Sequence, residues 1–573
     1  MNMKNTAVER LISIFFLYIL FVIAPFYLQP NVGGLGLTLP FNIASWSVAI
    51  FFIASVTITM VRHHSISYTH LFSLCLLFPI IIIMVGLFAN THPQPVIWLF
   101  RQLYIIGGLL FLFSLFQINF KTVQIEKILY SLVFASLLHS LVGVAEIIEF
   151  KAAAEWLPLS KQKLPIGMFQ QVNLQAIYLV TGLLSILYLI SRPSFSARHV
   201  FLKGMLVITF GLAVYIVLST GSRAGLLSLV SGCTLMIISR YRQLLRHRKV
   251  VSLIIIVSCV AVLGGQGGFE RASNKLQKVT EGEYKSIRST MYATTIDLIT
   301  KKPILGYGIG SFPRVWADQS IIFAKNNPDT NISQATTNHP HNEILLWMVE
   351  GGLLSVVGIL IIFMTVAYAL YLCGRSRGGA YAALLLPISF HTQVELPFYG
   401  SSVHWFLWLF LIFIVFRHQI KEVRLNITKA TRYSIQIAVV LVAFIGLSFL
   451  LHAGKAQKEI YDYKFNGGGD LRVPLNNLYF NSVAQRMIME NMLYSSIENK
   501  DWEQIPIFIK WAEDYIEFYP AQGMYPMLAD AYKSIGDDKN QCRIAKKGVE
   551  IYTQKAYLLN ILDECGNRKD DKN

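Results

Sequence analysis

Two kinds of side chain in this chain are suited to chemistry at a membrane surface. They are imidazoles in the run Thr337-Asn338-His339-Pro340-His341-Asn342-Glu343, and guanidinium groups at Arg223 and Arg288. His341 lies where a long polar stretch gives way to an apolar helix beginning near Ile344. An imidazole titrates near neutrality, so it can take a proton from a hydroxyl as general base or donate a hydrogen bond to a phosphate oxygen. The competing reading is a helix-capping segment in which Asn338 or Asn342 does the work, and the residues alone leave both open. His339, two residues earlier, points elsewhere once the helix begins and is a secondary candidate.

Arg223, in Leu218-Ser219-Thr220-Gly221-Ser222-Arg223-Ala224-Gly225, occupies a minimal turn between two apolar segments. Either it reaches to lipid headgroups, or it binds an anion beside three hydroxyl residues ahead of a helix N-terminus. Arg288 opens a stretch in which Arg288, Met291, Tyr292, Thr295, Ile296 and Leu298 recur at near-helical spacing, which reads as an amphipathic helix along a membrane surface. A guanidinium holds two phosphate oxygens at once and keeps its charge at any workable pH. Two of them at an interface would stabilise a pyrophosphate leaving group as its charge develops, provided that Arg223 and Arg288 converge. Gln171 and Asn173, at the mouth of another apolar segment, suit hydrogen bonding to sugar or phosphate, and equally suit helix capping. The turn His391-Thr392-Gln393-Val394-Glu395-Leu396-Pro397-Phe398-Tyr399 offers Glu395 and Tyr399 for an acceptor site, against interfacial anchoring for Tyr399. There is no Asp-x-Asp, carboxylate cluster, P-loop or HExxH, so neither a metal nor any other cofactor is expected. Gly306-Tyr307-Gly308-Ile309-Gly310 has no preceding strand and no dinucleotide spacing, and reads as a tight turn.

The elements that must position these residues are membrane helices. Of 573 residues, 54% are hydrophobic and 14% charged, where a soluble protein carries about 25% charged residues; the mean hydropathy is +0.49. Apolar blocks of membrane-spanning length fall near 11–28, 40–60, 69–89, 97–117, 125–147, 173–191, 200–219, 223–239, 250–266, 343–371, 379–393, 402–416 and 433–452. The fold class expected is an all-α polytopic membrane protein of about 13 transmembrane helices, with membrane lipid as its first partner. The net charge of +17 could suggest nucleic acid, but the basic residues gather in alternate connectors, while 29–39 and 90–96 carry no charge. That alternation orients the chain with its N-terminus cytoplasmic, and thirteen crossings put the C-terminal part outside; no nucleic acid partner is needed. The run Pro25-Phe26-Tyr27-Leu28-Gln29-Pro30 does not resemble a small-residue cleavage site, so the first apolar block is read as a retained span.

Four domains follow: a transmembrane bundle at 1–266, a long outside loop at 267–342 bearing the candidate residues, further transmembrane helices at 343–452, and an outside helical region at 453–573. That last region reads as short helices at 481–499, 502–518, 523–535, 539–551 and 555–564, in a degenerate helical-hairpin pattern of the tetratricopeptide sort. Cys542 and Cys565 fall within it, where an oxidising compartment would permit a disulfide; two reduced thiols are the alternative.

Taken in order, Gln171-x-Asn173, Ser222-Arg223, the Arg288 helix running into Pro303-Ile304-Leu305-Gly306-Tyr307-Gly308, His341-Asn342-Glu343, Glu350-Gly351-Gly352 and His391…Glu395-x-Pro397-x-Tyr399 resemble the O-antigen ligase superfamily. More closely they resemble the protein O-oligosaccharyltransferases of Gram-negative bacteria (the PglL type), with Ala224 where glycine often follows the arginine. The resemblance covers most of 1–420. It implies metal-independent transfer of a preassembled glycan from undecaprenyl pyrophosphate to a hydroxyl of an acceptor protein, pilin-like or otherwise exported, at the periplasmic side of the inner membrane. By the same resemblance His341 matches the essential histidine and Arg223 and Arg288 the pyrophosphate-binding arginines. Gln171 and Tyr399 match positions associated with protein glycosylation; Asn173, His339, Asn342 and Glu395 complete the candidate substrate-binding set. Ligation of O-antigen to lipid A core, polymerisation of repeat units and, more remotely, transport of a lipid-linked glycan are the alternatives. Transport predicts charged mid-span residues and related halves, and neither is evident.

Overall fold

The computed structural model describes residues 7–88, 95–150, 163–268, 270–271, 287–328, 336–553 and 555–570, with positions 152, 158 and 160. Parts of the long loop, 272–286 and 329–335, and residues 90–94 of the uncharged connector lie outside the described residues.

Each expected span is largely helical where described. Ten helical stretches among the described residues are long and apolar enough to cross a membrane. One of them, Arg223–Gly264, carries two expected spans divided by the 3-10 turn Leu245–His247. Two expected spans fall short. His70–Gly86 is a shorter apolar helix. Arg375–His391, in place of 379–393, has 17 residues, starts on Arg375 and Arg377, and contains Pro387; that length rises about 25 Å against a hydrocarbon core of about 30 Å. The strands, among the described residues, are one antiparallel ribbon pairing Ser65–Tyr68 with Lys421–Arg424 in the register Ser65 to Arg424 and Tyr68 to Lys421. The chain is thus an all-α multi-pass membrane protein.

It divides into two compact units, one of 1–77, 104–277 and 360–469, the other of 78–103, 278–359 and 470–573. At the heart of the first lies Val172–Ile190, buried from Leu174 to Ile190. Around it pack Thr122–Ile147, Val200–Ser219, Arg223–Leu244 and Arg375–His391. Close approach relies on small side chains: a Cβ on Gly225 would stand 2.7 Å from the Ala176 methyl, the small-residue contact by which membrane helices gain packing without a hydrophobic drive. The long Lys429–Phe465 helix lies along Pro40–His63.

In the second unit the helices Asn481–Asn499, Ile505–Phe518, Met524–Ser534, Asp538–Ile551 and Ala556–Asp570 follow the expected set closely. Cys542 and Cys565 form a disulfide with their Cα atoms 6.1 Å apart, joining the last two of these helices. A further helix, Phe312–Asn326, shares their core through Ala317 and Ile321, and Arg314 Nη1 donates to the Ile516 carbonyl at 3.1 Å.

Glu343–Leu372 is two helices in one run. At Gly352 the backbone takes φ 62° and ψ −163°, which breaks the ladder and orphans carbonyls before it and amides after it. The segment 303–308 supplies the missing partners. Tyr307 and Gly308 donate to the carbonyls of Val349 and Glu350 at 2.8 and 2.9 Å, while Leu353 and Leu354 donate to those of Pro303 and Ile304 at 2.8 and 3.4 Å. The glycine cluster read as a tight turn does turn, with positive φ at Gly306, Gly308 and Gly310. It also docks main chain to main chain, so that a Cβ on Gly306 would meet the Val349 oxygen at 2.4 Å.

Candidate functional site

The candidates divide between the units, with Gln171, Asn173, Arg223, Glu395 and Tyr399 in the first and Arg288, His339, His341 and Asn342 in the second. His341 sits just ahead of the Glu343–Leu372 helix with φ 55°, a left-handed conformation uncommon for a residue with a Cβ. Neighbours hold it there. Its amide donates to His339 Nδ1 at 2.7 Å, and its carbonyl accepts from the Tyr292 hydroxyl at 3.4 Å. Asn342 Oδ1 then accepts the Leu345 amide at 2.9 Å, capping the helix. The capping reading of this segment is seen in Asn342, and the imidazole of His341 is half-buried beside it.

His339 is buried at 5% exposure. Because its Nδ1 accepts, its proton belongs on Nε2, which faces Glu343 Oε1 at 3.9 Å. Burial, then the charges of Arg101 and His341, hold its pKa well below the usual histidine range, so it stays neutral. Its visible duty is to fix the main chain of His341. Arg288 is half-buried in the helix Ile287–Lys301, one turn before Tyr292 and hence on the same face. The Tyr292 bond is what ties that helix to His341.

Beneath this corner lies a charged pair. Glu350 is fully buried and bonded to Arg101; it also accepts the Phe312 amide at 3.3 Å. The Arg101 guanidinium lies 5.7 Å from the Trp347 ring.

In the first unit the mouth of Val172–Ile190 collects the remaining candidates. Gln171 occupies the N-cap position without capping through its side chain. Asn173 Oδ1 accepts the Ser222 hydroxyl at 2.6 Å, and Ser222 Oγ accepts the Gly225 amide at 3.1 Å as N-cap of the next helix. Arg223 is therefore the first residue of a capped helix, exposed, beside amides that favour an anion. Arg271 Nη2 donates to the Ser219 carbonyl at 2.8 Å behind the same turn. On the other side, a Cβ on Gly400 would stand 3.8 Å from Gln171 Oε1. The turn carrying Glu395 and Tyr399 is pinned by Tyr104, whose hydroxyl donates to the Phe398 carbonyl at 2.7 Å, and by Asn42, which donates to that of Gly400 at 3.1 Å. Glu395 is buried at 8% exposure, its amide bonded to the His391 carbonyl at 2.9 Å.

The sequence gives no site role to Arg101, Arg271 or Asn42, and offers Tyr292 only in the helical spacing that follows Arg288. Arg101 carries a signal, since a charge within the apolar stretch Pro95–Gln117 calls for a partner or a function. Tyr292 and Asn42 carry none, because their roles depend on which carbonyl the fold brings to them.

Residues 205–363 match the family model described as O-antigen ligase, and residues 380–563 match that described as virulence factor membrane-bound polymerase, C-terminal. The first holds Arg223, Arg288, His339, His341 and Asn342; the second holds Glu395, Tyr399 and nearly all the helices that follow the last membrane span. Gln171 and Asn173 precede both. No curated protein matches the chain. Both matches in order along 205–563, on a body of membrane helices, are consistent with the O-antigen ligase superfamily and support ligase-like or polymerase-like glycan transfer at a membrane.

Proposed function

We propose that this protein transfers a preassembled oligosaccharide from undecaprenyl pyrophosphate to a Ser or Thr hydroxyl of an exported, pilin-like protein at the periplasmic face of a bacterial inner membrane. The observation that carries the reading is the His341 corner. Its main chain is held in a left-handed conformation by His339 and Tyr292, which fixes where its half-buried imidazole stands. Such a group is pre-oriented for one proton transfer.

In the reaction the acceptor oxygen bonds to the anomeric carbon. The bond from that carbon to the pyrophosphate oxygen breaks, its electron pair leaving with the lipid pyrophosphate, and the hydroxyl proton passes to His341. Glycosyl transfer runs through an oxocarbenium-like state, so charge on the departing pyrophosphate develops early. Arg223 and Arg288 then count for as much as the base. The alternating basic connectors support an N-terminus in the cytoplasm. The disulfide between Cys542 and Cys565 supports an oxidising compartment for the helical C-terminal region.

A second reading, polymerisation of lipid-linked repeat units or ligation to lipid A core, is favoured by the match of 380–563 to membrane-bound polymerases. Reconstitution with lipid-linked oligosaccharide separates the readings, offering in parallel a pilin-like protein, lipid A core, and no added acceptor. Glycan on the protein is the expected result, with loss of about 100-fold or more in His341→Ala and of similar size in Arg223→Ala and Arg288→Ala. Products only on lipid A core or only as longer lipid-linked chains would reassign the acceptor. Undiminished transfer by correctly inserted arginine variants would remove the leaving-group argument.

A further inference from the structure

Away from these candidates, the first unit holds a group of arginines that lacks an adequate counter-charge. Four helix ends meet there: Val172–Ile190 and Ser402–Phe416 finish, Arg223–Leu244 is in its last turns, and Arg375–His391 begins. They bring together Arg192, Arg240, Arg377 and Arg417 around Tyr188 and Tyr381. The guanidinium carbons of Arg192 and Arg240 lie 5.8 and 5.7 Å from the Tyr188 ring, and the Tyr188 and Tyr381 rings are 5.9 Å apart. Arg192 and Arg377 are within electrostatic reach of Arg240, and Arg417 is within reach of both of them.

Arg240 is the informative member. It is 7% exposed, and its Nε and Nη2 have no hydrogen-bond partner among the described residues. The nearby carboxylate is committed elsewhere: Glu126 takes Arg192 Nε at 2.9 Å, Arg198 Nη2 at 3.3 Å and the Ser194 hydroxyl at 2.6 Å. Among the described residues no carboxylate lies in ion-pair range of Arg240, Arg377 or Arg417. An arginine does not shed its proton to relieve such a situation. A buried cation with unfilled donors is costly unless an anion completes it, and the ring of Tyr188 offsets only part of that.

We propose that Arg240, with Arg192, Arg377 and Arg417, binds the phosphate of an anionic phospholipid headgroup. A phosphate matches several forked donors at once. A lipid is the source favoured by the surroundings, because the cluster sits where membrane-length helices end. Beside it opens a cavity of about 470 Å³ walled by apolar Leu370 and Tyr371 together with Arg375 and Gly378. Gly379, of the same wall, packs so tightly on Ser239 that a Cβ would stand 2.1 Å from its hydroxyl, and Ser239 adjoins Arg240 in the chain. Basic pockets between membrane helices are suited to anionic heads with their acyl chains alongside. The inference is independent of the glycan-transfer reading.

The test uses the full-length protein in detergent micelles supplemented with phosphatidylglycerol, phosphatidylcholine, or inorganic phosphate without lipid. Retained lipid is read by native mass spectrometry and stability by thermal unfolding. Wild type is expected to retain phosphatidylglycerol and melt higher with it, and to do neither with phosphatidylcholine. Arg240→Gln and Arg377→Gln, the latter at an exposed position, are each expected to weaken retention about tenfold or more. Arg246→Gln, an exposed arginine in the neighbouring 3-10 turn, is expected to retain it. Stabilisation by inorganic phosphate equal to that by phosphatidylglycerol would overturn the lipid assignment. Equal loss in Arg246→Gln, or no preference for phosphatidylglycerol, would reduce the cluster to diffuse surface charge and overturn the site.

Discussion

Gly352→Ala should undo the docking that links Pro303–Gly308 to the broken helix, and the size of the effect can be worked from the backbone. At φ 62° and ψ −163° the residue occupies a region essentially restricted to glycine, where a side chain costs about 1–3 kcal/mol. The added Cβ would stand 2.2 Å from the Ile304 oxygen, 2.3 Å from its carbonyl carbon and 2.6 Å from the Leu305 nitrogen. All three are main-chain atoms, so no side chain can swing aside. If the loop withdraws instead, the bonds from Tyr307, Gly308, Leu353 and Leu354 are at risk, and each buried group left unsatisfied costs about 1–3 kcal/mol. By either route the docked state loses about 3 kcal/mol, roughly a hundredfold in its population. Hydrogen exchange read by mass spectrometry reports this directly. Peptides holding Tyr307, Gly308 and Leu353 should exchange roughly a hundredfold faster, and glycan transfer should fall with them, because the half-helix they steady begins at the His341 corner. Gly204→Ala is the control: a Cβ there meets nothing within 4 Å, so this helical substitution should be neutral or stabilise by about 0.5–1 kcal/mol. Unchanged protection in Gly352→Ala, with wild-type transfer, would refute the claim that this close approach positions the corner.

Glu350→Gln keeps an oxygen for the Phe312 amide but removes the charge facing Arg101. Thermal unfolding should register a loss of about 3–5 kcal/mol, much of it recovered in the double variant with Arg101→Gln; a double-variant loss equal to the sum of the two single losses would mean the pair is not coupled. His339→Asn places a carbonyl oxygen where Nδ1 accepts the His341 amide, and should preserve transfer, whereas His339→Leu should lose about tenfold or more. These variants also differ with pH. Burial and the neighbouring Arg101 and His341 depress the histidine's folded-state pKa well below 6.5, so below that value the unfolded chain binds a proton that the folded chain refuses. Stability contributed by neutral His339 is therefore intact above pH 6.5 and declines as pH falls beneath it, and that limb of the profile should shrink in His339→Asn.

Much of the fold is legible in the sequence because the bilayer imposes length and composition on each helix. Arg375–His391 is the instructive exception: its apolar stretch is real, but Arg375, Arg377 and Pro387 leave it short, and it is buried against Arg223–Leu244. The candidate residues could be named from their types, whereas the sequence left cap and base open at 338–342, where Asn342 caps the helix. What could not be read is the support. The pairing of 303–308 with 349–354 uses main-chain atoms and leaves only glycines as its trace. The helix Phe312–Asn326 hides among the polar residues of the long loop because its partners, such as Ile516, come from far along the chain.

Glu350 shows why a charge belongs under this corner. A helix broken at membrane depth must have its freed amides and carbonyls satisfied by protein, since hydrocarbon cannot do it. The loop 303–308 satisfies them, but only while it stays in register. Glu350 fixes that register from both ends of the residue. Its carbonyl takes the Gly308 amide, while its carboxylate takes the amide of Phe312 at the start of the next helix, where a negative charge is favoured by the helix dipole. The same carboxylate holds Arg101 on Pro95–Gln117. One buried residue thus fastens the loop through its carbonyl, and the following helix and a membrane helix through its carboxylate, to the half-helix that His341 precedes. Leucine at this position would fill the space and keep the carbonyl for Gly308, but it would leave the Phe312 amide and Arg101 without their carboxylate, so the charge supplies anchorage that packing alone does not.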